Sequence, residues 1–107
     1  MLDKLREAGI AISLMTYGEI CEGIYYGGQR QQCERGFTAF LRVVSVLPLN
    51  RLITRRFARI RGQLRQKGLL IPDLLIGATA IEHGLTLVTR NTRDFDRIPE
   101  LSLYQHR

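Results

Sequence analysis

An α/β fold with a mainly parallel sheet is predicted by three features of the chain. Short apolar or β-branched runs, Ile10 to Leu14, Val43 to Leu47 and Leu85 to Thr89, alternate with longer segments whose apolar residues recur every three or four positions. Glycine or proline marks most junctions between them, notably Gly27-Gly28, Pro48 and Gly84. The 107 residues suit one domain, 1–107, large enough to remove roughly 65% of its unfolded surface from water.

Leu2, Leu5 and Ala8 share a helical face and Gly9 stops it, so residues 2–8 read as a helix leading into the strand Ile10 to Leu14. Thr16 stands three residues before Glu19, the spacing of a capping box, which predicts a helix from Thr16 to about Tyr25. Phe37, Phe40, Leu41 and Val44 then recur at helical spacing before the β-branched run 43–47, closed by Pro48. Asn50 is a natural N-cap for a long helix whose stripe is Ile53, Phe57, Ile60 and Leu64 and whose end is expected near Gly68. A helix from Asp73 to Glu82 stopped by Gly84, a strand Leu85 to Thr89, a turn or short helix Asn91 to Phe95 and a strand near Leu101 to Tyr104 complete the chain. In such a fold the site is expected at the carboxyl ends of the strands.

Sixteen Lys and Arg against ten Asp and Glu leave a net charge of +6, a bias toward polyanions that does not name the polymer. The longest apolar run, near Leu69 to Ala80, is broken by Pro72 and Asp73 and falls well short of the roughly 20 residues of a membrane span. Met1 to Glu7 alternates charge with leucine and lacks a secretory core, so a cytoplasmic address is expected. Cys21 and Cys33, with only His83 and His106 as imidazoles, suggest two reduced, partly buried thiols instead of a zinc cluster or disulfide framework. No helix-turn-helix spacing supports a DNA-binding regulator.

Three acidic residues fall just after a strand or at the start of a helix: Glu19, Asp73 and Asp94. Carboxylates so placed converge in an α/β sheet, and hard oxygen ligands of this kind suit Mg²⁺ or Mn²⁺. Each also has a plainer role. Glu19 can close the capping box on Thr16, Asp73 can complement a helix macrodipole, and Asp94, like Asp96, can be a solvated turn carboxylate.

The flanking residues narrow these alternatives. Thr16-Tyr17-Gly18-Glu19-Ile20, Pro72-Asp73 with Ile76 and Ala80, and Thr89-Arg90-Asn91-Thr92-Arg93-Asp94-Phe95 together resemble the PIN-domain nucleases, in particular the VapC-type toxins of bacterial toxin-antitoxin pairs. The resemblance implies a three-layer α/β/α sandwich and a Mg²⁺- or Mn²⁺-dependent endoribonuclease in which Glu19, Asp73 and Asp94 hold metal, supported by Thr16, Thr89 and Asn91. It also implies a homodimer and a VapB-like antitoxin as partner. Where this chain has Asn91, relatives often carry an acid, which makes Asp94 the better remaining ligand.

The family usually opens on an apolar strand ending in an Asp-Thr-Asn-like motif, which supplies a first aspartate and the middle strand of the sheet. Asp3 does not match it, so the chain aligns as an N-terminally truncated member. Two expectations follow: direct pairing of strand 10–14 with strand 85–89, or closure of the gap by another copy, because unpaired apolar edges are seldom left open. The alternative to a nuclease is a catalytically inactive remnant that binds antitoxin or nucleic acid.

Arginine crowds the helix after Asn50, at positions 51, 55, 56, 59, 61 and 65, with Lys67 beyond. With Arg90 and Arg93 it suggests an RNA-tracking surface, for which Arg55, Arg59, Arg90 and Arg93 are the candidate contacts. A solvated helix face is the plainer account. Tyr17, Tyr25, Tyr26 and Phe95 are either anchors for a partner or core residues.

Overall fold

The computed structural model describes residues 10–64 and 68–104. The expected helix 2–8 and the basic residues Arg65 and Lys67 lie outside them. Close contacts divide the chain into two compact units, 1–48 and 49–107.

In the first unit, β1 (Ala11–Ser13) leads directly into α1 (Leu14–Tyr26). The helix starts two residues earlier than the Thr16 capping box predicts, because Ser13 is the cap. Its hydroxyl oxygen accepts from the Thr16 backbone N–H at 3.0 Å and its own proton goes to Thr16 Oγ1 at 3.0 Å. Leu14, expected to end the strand, therefore becomes the first helical residue. The helix ends at Gly27, whose N–H donates to the Gly23 carbonyl at 2.9 Å.

α2 (Arg30–Leu41) stops before Val44, which lies buried in the turn ahead of β2 (Ser45–Leu47). Tyr17 of α1 meets Phe37 of α2 with ring centroids 5.4 Å apart and a 44° tilt, a favourable aromatic geometry. β1 and β2 pair in parallel, Ala11 with Ser45 through Ser13 with Leu47, as a crossover through two helices requires.

The second unit is built on α3 (Arg51–Gln63) and α4 (Ile71–Glu82). Asn50 caps α3 as its side chain type dictates, Oδ1 accepting from the Ile53 N–H at 2.9 Å. The predicted stripe is the buried one: Ile53 and Ile60 are fully enclosed, with Phe57 and Leu64 packed at their margin. They meet Leu74 and Ala78 of α4, together with Phe95 and Ile98. Gly77 permits this approach, since a Cβ there would stand 2.7 Å from Ile98 Cδ1. Phe95 is thus a core residue, while Tyr25 and Tyr26 are exposed.

Gly84 turns the chain out of α4 with φ 63°, a left-handed conformation that suits glycine. β3 (Thr86–Leu87), α5 (Thr92–Phe95) and β4 (Ser102–Leu103) follow, and β3 pairs in parallel with β4. Both ladders are parallel, as predicted. Among the described residues each ladder joins strands of one unit. Among the described residues no helix is long and apolar enough to cross a membrane. Cys33 is exposed, not partly buried, and Cys21 is half-buried; both are free thiols.

Replacing Ile60 with alanine is expected to lower unfolding free energy by about 3 kcal/mol, since the cavity opens between two helices that cannot collapse on it. Asn50→Ala, which deletes only a cap, should cost about 1 kcal/mol. Urea unfolding of both variants checks this ordering; equal losses would contradict the assignment of the core seam.

Candidate functional site

Asp73 and Asp94 of the second unit lie near enough for the charge of one to act on the other. Pro72 sits in the first turn of α4 and Asp73 follows it, so the carboxylate lies beside the positive end of the helix, which favours its ionised form. Opposing this, burial and the charge of Asp94 raise the Asp73 carboxyl above its ordinary value of 3.8, desolvation being the larger cause. The net shift is upward, so the packing of the site outweighs the helix terminus. Two carboxylates that repel each other in a half-buried position form a place where a cation would be welcomed.

Asp94 is carried by α5, a single turn whose conformation is set locally. Thr89 Oγ1 accepts from the Asn91 backbone N–H at 3.1 Å, and the Asn91 side-chain Nδ2 donates to Asp94 Oδ2 at 3.1 Å. Asn91 occupies the N-cap position of α5 without a capping hydrogen bond from its side chain, whose Nδ2 is turned to Asp94. The departure to an amide here thus has a clear role: an acid at this position would add repulsion to Asp94 where the amide adds a hydrogen bond. Asp96 lies at the exposed C-terminal end of α5.

Glu19 and Thr16 belong to the first unit. Since Ser13 is the cap of α1, Glu19 is not held in a capping box, and its carboxylate is exposed without a hydrogen bond or ion pair among the described residues. Thr16 is engaged in the cap itself through both its N–H and its hydroxyl. Among the described residues no three His, Cys, Asp or Glu side chains gather closely enough to grip a metal. The pair Asp73 and Asp94 still fits a hard cation of the Mg²⁺ type, which is commonly held by one or two carboxylates with water and substrate phosphate completing its shell.

The basic residues separate into two kinds. Arg90 and Arg93 are exposed on either side of Asn91. On α3, Arg51, Arg55, Arg59 and Arg61 are exposed and form no ion pair among the described residues, whereas Arg56 turns inward. Its Nε donates to Glu82 Oε1 at 2.8 Å and its Nη1 to Glu100 Oε2 at 2.6 Å. Arg56 is therefore a structural clamp and not part of a phosphate-tracking face. Its partners lie 26 and 44 positions away, too far for any local sequence signal.

Residues 2–101 match the PIN domain model. The chain belongs to the PIN domain family. Among similar proteins, ribonuclease VapC2 of Rickettsia felis is 35% identical over 96 residues, 88% of this chain and 72% of the relative. Ribonuclease VapC1 of Methanocaldococcus jannaschii is 32% identical over 89% of this chain and 68% of its own length. The solved structure of VapBC2 from Rickettsia felis, bound to a DNA fragment from its promoter, superposes with a TM-score of 0.85 at 34% identity, covering 96% of this chain and 80% of that one. DNA-bound VapBC from Salmonella typhimurium superposes at 0.82 with 27% identity, covering 88% and 73%. The PIN fold accounts for the α/β order and for parallel pairing in both units.

The raised Asp73 carboxyl has a direct thermodynamic consequence. The folded PIN domain holds that proton more tightly than the unfolded chain, so ionisation of Asp73 weakens the fold as pH climbs above 3.8 toward the raised value. Asp73→Asn cannot ionise. Its melting temperature is expected to exceed that of the wild type at pH 7, in metal-free buffer, and the difference should close as pH falls to about 3. A difference independent of pH would remove the proposed burial of this charge.

Proposed function

We propose that this chain is a VapC-like toxin: a single PIN domain, 1–107, that cleaves RNA phosphodiester bonds with the help of Mg²⁺ or Mn²⁺. The observation that carries this reading is the placement of Asp73 in the first turn of α4 and Asp94 on α5, both partly buried, with Asn91 orienting the second carboxylate. The VapC relatives, named as ribonucleases, support the activity, and the VapBC complexes support a VapB-like antitoxin as the partner. A homodimer and a cytoplasmic location belong to the same reading.

Asp73 and Asp94 would hold the cation, with Glu19 as the third carboxylate. When bound, it would lower the pKa of a water and offset charge on the scissile phosphate. Asn91 aims Asp94 by donating to Oδ2, and Thr89 fixes the backbone of Asn91 from its hydroxyl. Thr16 steadies the first turn of the helix that carries Glu19. Arg90 and Arg93 flank this turn and would take the phosphates on either side of the cleaved bond.

A second reading, a PIN domain that binds antitoxin or RNA without cutting, is favoured by the fact that among the described residues no three His, Cys, Asp or Glu side chains gather closely enough to hold a metal. RNA cleavage in Mn²⁺ decides between them. Wild type is expected to cut, Asp73→Asn and Glu19→Gln to lose about 100-fold or more, and Asn91→Ala to lose about 10-fold. Mn²⁺ should also raise the melting temperature of the wild type and leave Asp73→Asn unmoved. No cleavage by the wild type, or identical cleavage by Asp73→Asn, establishes the silent reading.

Salt dependence tests the arginines separately. For four phosphate contacts on single-stranded RNA, log affinity should fall against log salt with a slope of about −3. Arg90→Ala and Arg93→Ala should each make it shallower by about 0.7. A flat response in the wild type removes RNA from the proposal.

A further inference from the structure

Glu100 stands in a backbone conformation that its own residue type does not favour. Its φ is 68°, in the left-handed region, and it follows Pro99 in the turn ahead of β4. Proline followed by a residue of positive φ is the pattern of a type II turn, where glycine or asparagine is the usual second residue. A longer side chain persists in such a position when its surroundings over-determine it, and functional sites are where strain of this kind collects. The contact that restrains Glu100 is its ion pair with Arg56, whose Nη1 donates to Glu100 Oε2 at 2.6 Å. We propose that Arg56 and Glu100 are positioning residues of the candidate site, a tether that fixes the turn carrying Asp94.

The assignment rests on reading Asp94 as a cation ligand. α5 has four residues, and its backbone bonds from Phe95 to Asn91 and from Asp96 to Thr92, at 3.4 and 2.8 Å, are too few to hold a helix axis by themselves. The buried Phe95 pins the turn to the core at one point. Rotation about that point would swing Asp94, which projects about 100° away around the turn, so a second fixed point must follow. Ile98, buried beside Gly77 of α4, supplies its apolar part, and Glu100 supplies the charged part against α3. Arg56 is itself held by Glu82 of α4 at 2.8 Å, on a helix seated by the enclosed Ile53 and Ile60. Asp94 and Asp73 act on each other as like charges, so the turn needs an outside restraint to keep them near. The Glu100 side chain is 67% exposed, and pairs so exposed contribute little to overall stability. What this one contributes is position.

Glu100→Gly in the full chain tests the tether without endangering the fold, because glycine adopts a positive φ freely. Its melting temperature is expected to equal or exceed that of the wild type. In metal-free buffer the Asp96, Arg97 and Ile98 amides, which donate back to α5, should lose protection from hydrogen exchange while the amides of α3 keep theirs. The Mn²⁺ dissociation constant, measured by calorimetric titration, should rise about tenfold, the loss typical of removing a group that orients a ligand. Glu82→Gln weakens the other arm of Arg56 and is expected to lower the melting temperature while leaving Mn²⁺ affinity unchanged. A clamp that serves stability alone would give the opposite pattern, with Mn²⁺ affinity following the melting temperature in both variants. Full protection at residues 96–98 in Glu100→Gly, unchanged Mn²⁺ affinity despite lost protection, or an equal loss of affinity in Glu82→Gln overturns the proposal. A wild type that binds no Mn²⁺ sinks the metal reading instead. The NMR signal of the Asn91 side-chain amide, which reports its bond to Asp94, then decides the tether: a change in Glu100→Gly supports it and an unmoved signal overturns it.

Discussion

The seam between α3 and α4 is the constraint on which the candidate site depends. Ile53 and Ile60 close against Leu74 and Ala78, and Phe95 and Ile98 fill the space beside them. Asp73 is one residue before Leu74, and Asp94 is one residue before Phe95. Each carboxylate is thus tethered to a core side chain by a single peptide link, so the burial that drives folding also fixes the position of the acids. Because a buried apolar side chain contributes about 1.5 to 3 kcal/mol, the seam has ample free energy to hold two like charges near each other.

Loss of hydration, and after it the charge of Asp94, explains why the Asp73 carboxyl moves upward even though it stands in the first turn of a helix. A helix terminus is worth about 0.3 to 1 kcal/mol to an exposed carboxylate, an effect that loss of hydration and a neighbouring anion readily exceed. The cost is local and is confined to the position where a cation would reverse it. Asn91 fits the same logic: an amide beside Asp94 supplies a proton donor without a further charge.

Arginine on α3 serves more than one purpose, and helix periodicity sorts them. Arg56 lies on the inner side, where Glu82 of α4 and Glu100 ahead of β4 surround it. Glu100 adopts φ 68°, a conformation uncommon for a residue with a side chain, and its carboxylate is held by Arg56 Nη1. Arg51 and Arg55, a turn apart on the outer side, form no ion pair among the described residues. One composition therefore yields an internal clamp and an external charged rim.

The order of helices and strands was legible from residue periodicity alone, as were the Asn50 cap, the Ile53 to Leu64 stripe, the Gly84 stop and the three motifs that mark a PIN domain. These depend on neighbours within four positions or on short patterns, and the local chain encodes them. The start of α1 was misplaced by two residues because Ser13 and Thr16 both have capping side chains, and only the hydrogen bonds of the folded helix distinguish them. Strand partners, the inward turn of Arg56 and the pairing of Asp73 with Asp94 were decided by the tertiary structure. They join residues from 16 to 44 positions apart, and no local propensity selects such a partner: the packing of the core does, by determining which side chains face each other once water has been expelled.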